Sequence, residues 1–259
     1  MTGSGGWCLR TSRALPIALA ALLVAGACTA PNAAKSSRRG KRSASVALKS
    51  EAVATPTPGR AEGRRGAVAA EHPRAAQIGL AMLEQGGNAV DAAIATAYAV
   101  CILNASSCGI GGGGFMLVNE AGGTVSALDY RETAPALAHR DLYRRNGEIL
   151  AELSRRGGRA VAVPGEVAGL EAARARYARL PRKVLMAPAI ALARDGFPIG
   201  VHLAKEIAQN LSALRAAPAL GAIFLDDAGN PRGAGDTIRM PALAATLERI
   251  ANEGADAIY

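Results

Sequence analysis

Aromatic side chains make up only 3% of the 259 residues, so any sizeable interior must be assembled mainly from Ala, Leu, Val and Ile. The three histidines, His72, His139 and His202, lie too far apart for the spacing of a metal site. No Ser or Cys sits in the context of a nucleophile elbow. No self-similarity at a period of roughly 20 to 50 residues marks a solenoid. The apolar run of residues 14–27 is shorter than the about 20 residues a helix needs to span a bilayer. What is present is 50% hydrophobic content with 20% charge, which excludes a disordered chain and predicts one large domain or two small ones.

The net charge of +9 suggests a nucleic acid or a membrane as partner until it is located. Residues 1–66 hold 11 Lys and Arg against Glu51 and Glu62, which accounts for all of it, while residues 67–259 balance at 19 charges of each sign. A neutral globular part disfavours nucleic acid as its ligand.

Arg10 and Arg13 precede the uncharged run of residues 14–27, a pattern that fits the hydrophobic region of an export signal. Ala25, Gly26 and Ala27 directly before Cys28 resemble a lipobox, whose cysteine is acylated after cleavage, although Ala25 replaces the more usual Leu. Residues 1–27 are therefore expected to be a lipoprotein-like signal, with Cys28 lipidated and the product in the periplasm or cell envelope; plain secretion is the alternative. Residues 28–65, rich in Ser, Ala, Pro, Lys and Arg, read as a flexible basic tether. Residues 66–259 form the folded region.

That region opens on a strand candidate, Ala67 to Ala70. His72 and Pro73 then start a helix that Gly86 and Gly87 stop. Asn88 caps the next helix, Ala89 to about Leu103, with Asp91 three positions on, and this helix is apolar nearly all round and so buried. Phe115–Asn119 and Thr124–Tyr130 flank a turn and predict a hairpin. Helices are expected at Pro164–Tyr177, Lys183–Asp195, Val201–Ala217 and Pro241–Glu253. Helices, hairpin and more helices make an α+β order.

Gly109-Ile110-Gly111-Gly112-Gly113-Gly114 formally satisfies the dinucleotide fingerprint, but that motif needs a strand entering and a helix leaving. Here a helix enters and a strand leaves, and Phe115 rather than Lys follows, which also excludes a Walker loop. Two readings remain: a tight crossover packed on a neighbour, or a loop lining a substrate.

Three segments now converge. Glu84-Gln85-Gly86-Gly87-Asn88-Ala89-Val90-Asp91-Ala92-Ala93, then Gly109 to Leu117, then Asp129-Tyr130-Arg131-Glu132-Thr133-Ala134-Pro135-Ala136 resemble the large-subunit signature of γ-glutamyltranspeptidases. Val163-Pro164-Gly165-Glu166-Val167-Ala168-Gly169, Ala191 to Phe197 and Gly235-Asp236-Thr237 are similar to the same family in the same order. The resemblance covers about Gly66 to Tyr259 and implies an αββα sandwich of the N-terminal nucleophile hydrolase type, of which this large-subunit portion is incomplete. It further implies a self-cleaving precursor and an N-terminal Thr that attacks the γ-glutamyl amide of glutathione and passes the glutamyl group to water or to an amino acid or peptide acceptor. No metal or organic cofactor is implied.

By the same resemblance, Arg131 matches the arginine that binds the α-carboxylate of the glutamyl group, and a planar guanidinium suits a bidentate grip. The competing reading is a surface ion pair with Asp129 or Glu132. The family's small subunit opens on a Thr-Thr-His type motif; no Thr-Thr pair or Thr-x-His occurs here, so no catalytic residue is assigned and the chain alone is expected to be inactive. The alternative is a membrane-tethered, non-catalytic remnant that still binds γ-glutamyl compounds. Without the small subunit, unpaired strand edges and apolar faces are expected to lie exposed. Cys101 and Cys108 are close enough for a disulfide, which their separation alone does not decide.

Overall fold

The computed structural model describes residues 62–259, all within the compact unit Thr55–Tyr259. The expected signal, Cys28 and most of the tether lie outside the described residues. The α+β order holds, with helices dominant and the strands confined to three two-stranded antiparallel sheets.

Helix α1 (Pro73–Glu84) starts as its sequence dictates: Pro73 lacks the N–H that a first turn cannot use, and Nδ1 of His72 accepts from the Arg74 N–H at 3.1 Å. Gly86, with φ +89°, turns the chain out of it. Helix α2 (Ala89–Leu103) opens on a complete capping box, Asn88 Oδ1 accepting from the Val90 and Asp91 amides while Asp91 Oδ2 accepts from the Asn88 N–H at 2.7 Å. As its all-round apolar pattern predicts, α2 is buried through Ile94, Tyr98 and Ile102.

The Asp91 carboxylate does more than cap. It is fully buried and also accepts from the backbone amides of Arg179 and Leu180, while Asn88 Nδ2 donates to the Tyr177 carbonyl at 2.6 Å. The start of α2 is thereby tied to the connection between α3 (Glu166–Tyr177) and α4 (Arg182–Asp195). Pro188 stands inside α4, where it forgoes one helical hydrogen bond, yet Leu185, Met186 and Ala189 remain buried against α2 and against α8 (Pro241–Glu253). Glu171 of α3 reaches Arg182 of α4 at 2.6 Å and also holds Arg174 of its own helix at 2.6 Å.

Three expectations need correction. Residues 67–70 pair with no strand among the described residues and line one side of a groove. The single helix expected over Val201–Ala217 is two, α5 (Val201–Gln209) and α6 (Leu211–Arg215); Asn210 leaves helical geometry and its side chain bonds back to the Glu206 carbonyl, a competition with the backbone typical of Asn. A further helix, α7 (Pro218–Phe224), follows where none was expected, with Pro218 in its first turn. Short strands β3 (Arg144–Arg145) with β4 (Glu148–Ile149), and β5 (Phe197–Pro198) with β6 (Thr237–Ile238), pair antiparallel beside the helices.

Candidate functional site

The hairpin expected around the turn Glu120–Gly123 is β1 (Phe115–Asn119) paired with β2 (Val125–Asp129), Phe115 opposite Asp129 and Asn119 opposite Val125. Alternation sends Met116, Val118 and Leu128 toward the helices and leaves Phe115, Leu117 and Val125 on a bare face, 67%, 76% and 64% exposed. The ladder runs one pair beyond the strands, since Gly114 and Tyr130 exchange both backbone hydrogen bonds at 3.3 and 3.0 Å. A second exchange, between Thr133 and Val163, follows at once. Arg131 and Glu132 are thus held between two fixed points.

Helix α3 clasps this junction from behind. The Gly112 carbonyl accepts from the amides of Gly165 and Glu166 at 2.8 and 2.9 Å, so the glycine loop rests on the first turn of α3. The approach is close enough that a Cβ on Gly113 would collide with the Tyr130 carbonyl, and one on Gly169 with the Tyr130 ring. Of the two readings left open for the glycine loop, the packed crossover is therefore seen.

Arg131 itself is 64% exposed at its side chain, with Nη1 3.0 Å from Glu132 Oε2; its N–H donates to Asp129 Oδ1. It lies at the end of the face carrying Val125, Ala127 and Asp129, as the alternation predicts. The ion pair with Glu132 does exist. One exposed pair leaves most of the five guanidinium donors available to a ligand carboxylate. Behind it, Glu166 is only 6% exposed; burial pushes its carboxyl above the usual range, and the charge of Glu132 adds to this. Burial, with Glu166 nearby, also raises the Tyr130 phenol.

Cys101 and Cys108 are joined by a disulfide, which answers the pairing left undecided by spacing. Their sulfurs and a Glu166 oxygen lie within 4.8 Å of one another, but with both sulfurs in the bridge Glu166 is the one free ligand of that trio. His72 is spent on the cap of α1 and His139 on the Asp141 amide.

A family model described as Gamma-glutamyltranspeptidase matches residues 75–259. The chain belongs to this family. Among curated γ-glutamyltranspeptidase relatives, it is 44% identical over 199 residues to glutathione hydrolase proenzyme 1 of Schizosaccharomyces pombe, covering 76% of this chain and 31% of that protein. To the glutathione hydrolase proenzyme of Escherichia coli it is 38% identical, covering 76% of this chain and 34% of that one. The chain spans about a third of the length of these relatives. The crystal structure of Helicobacter pylori gamma-glutamyltranspeptidase superposes with a TM-score of 0.75 at 33% identity, over 77% of this chain and 58% of that one. The Pseudomonas nitroreducens enzyme complexed with L-DON gives 0.69 at 37%, over 75% and 57%. The fold is thus part of the N-terminal nucleophile hydrolase sandwich, and the described residues carry helices and short antiparallel strand pairs of it.

Reasoning from sequence missed three things here. Asp91 reaches the α3–α4 connection, a contact 88 residues away with no local signal. Tyr130 is the wedge for which Gly165 and Gly169 make room. Glu166 is a buried carboxyl; its position directly after Gly165, at the start of a helix, was the available sign.

Proposed function

We propose that this chain supplies the glutamyl-binding part of a γ-glutamyltransferase or glutathione hydrolase, with Arg131 gripping the α-carboxylate of glutathione and other γ-glutamyl compounds. The observation that carries the reading is the mounting of Arg131: an exposed guanidinium on a backbone fixed by Gly114–Tyr130 on one side and Thr133–Val163 on the other. Such a mounting holds a bidentate donor in place before the ligand arrives, which lowers the ordering cost of binding. The names of the relatives, glutathione hydrolases, support the substrate class.

Cleavage of the amide needs a nucleophile. In this reading it is an N-terminal Thr of a small subunit, contributed by residues other than these 259, which contain no Thr-Thr pair. The acyl group then passes to water or to an amino acid or peptide. Export fits the arrangement of residues 1–65, with lipid on Cys28 holding the protein at the envelope; among the described residues no helix is long and apolar enough to cross a membrane.

The test places this segment in one reading frame with a family small subunit and compares it with Arg131→Lys. The expected result is a KM for a γ-glutamyl substrate raised about tenfold or more, since Lys offers a point charge in place of a planar fork. An unchanged KM overturns the assignment of Arg131. The 259-residue chain alone is expected to release no glutamate from glutathione. If the joined protein binds glutamate and still turns nothing over, the non-catalytic reading takes its place.

A further inference from the structure

The geometry points to the Cys101–Cys108 disulfide as a site of covalent modification by a small thiol, which adds to Cys108 Sγ while Cys101 Sγ departs with a proton supplied by Glu166. Cys101 lies in the core at 3% exposure, whereas Cys108 is only half-buried. Cys108 also lines an open groove of about 710 Å³ between residues 65–71 and the Ala92, Thr96 and Val100 side of α2. A small thiol entering that groove meets Cys108 and not Cys101. Arg65 on the groove wall favours a thiol that carries a carboxylate.

Exchange then depends on the leaving sulfur. A thiolate at Cys101, in apolar surroundings, is a poor leaving group, because burial disfavours its charge. The Glu166 oxygen lies within 4.8 Å of both sulfurs, its side chain is 6% exposed, and its carboxyl accepts no hydrogen bond from the described residues. Burial favours the protonated form of a carboxyl so placed, and no hydrogen bond among the described residues occupies it. The attacking thiolate gives its electron pair to a new bond with Cys108 Sγ. The old S–S pair leaves on Cys101 Sγ and takes the Glu166 proton; Glu166 recovers a proton from water, as the incoming thiol lost one to it. The incoming thiol is oxidised to the mixed disulfide and Cys101 is reduced, so no other oxidant or reductant is needed. Attack by a second thiol on the outer sulfur of the mixed disulfide releases the small-molecule disulfide and leaves both cysteines reduced.

The consequence is local. The bridge anchors α2 to the residue just ahead of Gly109, and Gly112, three residues further, is the support of the α3 clasp. Arg131 does not line the groove, so this proposal stands apart from the glutamyl reading.

The test takes the full oxidised chain, incubates it with glutathione, traps free thiols with N-ethylmaleimide and maps the peptides, which separates Cys8 and Cys28 from the pair. Glutathione is expected on Cys108 and maleimide on Cys101. Glu166→Gln is expected to slow adduct formation at neutral pH about tenfold or more and to change its pH profile, the signature of a lost proton donor. Glutathione on Cys101, or no adduct on either member of the pair, overturns the site. An unchanged rate and pH profile in Glu166→Gln overturns the role of Glu166. Should that variant fail to fold, Glu166→Asp keeps the question open to measurement: the same profile displaced along the pH axis is expected, and an unmoved profile refutes the donor.

Discussion

Among single residues, Asp91 carries the most structure. Its carboxylate, fully buried, accepts from the amides of Asn88, Arg179 and Leu180 and shares the cap of α2. Removing it strands those donors in the interior, so Asp91→Ala is expected to lower stability by about 3 kcal/mol or more in denaturant unfolding, with Asp91→Asn intermediate because Asn keeps one acceptor oxygen. Glu171 gives a second prediction. Burial alone raises its carboxyl, but hydrogen bonds from Arg174 and Arg182 outweigh that and draw it down to about 2. Its folded pKa is below its unfolded one, so its contribution is complete above about 4.5 and is lost as pH falls toward about 2. Thermal melts over that interval are expected to show a smaller acid loss in Glu171→Gln than in the native chain. His72 titrates in a higher window: burial lowers its pKa, outweighing the charge of Glu71. The neutral ring that caps α1 is therefore at full effect above about 6.5, and its contribution falls as pH drops below that value. His72→Asn, which caps without titrating, is expected to remove that part of the pH dependence.

At the level of elements, the helices with strong local punctuation were legible in the sequence. Pro73, the Asn88–Asp91 box, Gly196 and Pro241 each act within a few residues, and α1, α2, α4 and α8 lie within a residue or two of where these signals put them. The hairpin was legible for the same reason. The rest required long-range information. Residues 67–70 have strand composition but no partner strand among the described residues, and composition alone cannot supply one. The break at Asn210 depends on a side chain choosing the Glu206 carbonyl over continued helix, a near balance that pattern does not reveal. At the site, Arg131 was reached through its motif, while the reason for Gly165 and Gly169 became visible only with Tyr130, whose carbonyl lies against Gly165 and whose ring lies against Gly169. That packing predicts that Gly169→Ala, harmless to an isolated helix and even favourable by propensity, displaces α3 from the hairpin. The check is near-ultraviolet circular dichroism, where the tyrosine signal is expected to weaken while helical content is kept.

For the molecule as a whole, the exposed row of Phe115, Leu117 and Val125 is a sheet face with nothing on it among the described residues. A two-stranded sheet with one bare apolar face invites pairing with other copies. Concentration-dependent light scattering of the chain is expected, and Leu117→Lys, which leaves the buried side of β1 untouched, is expected to reduce it several-fold. The tie between Asp91 and the α3–α4 connection also has a meaning in time. Its partners are separated by 88 and 89 residues of chain. At a synthesis rate of about 5–20 residues per second, the start of α2 waits several seconds after it is made before the amides that cover its Asp91 carboxylate exist at all. Until then the Asp91 carboxylate remains in water, and α2, too apolar to stand alone, is a segment for a chaperone to hold.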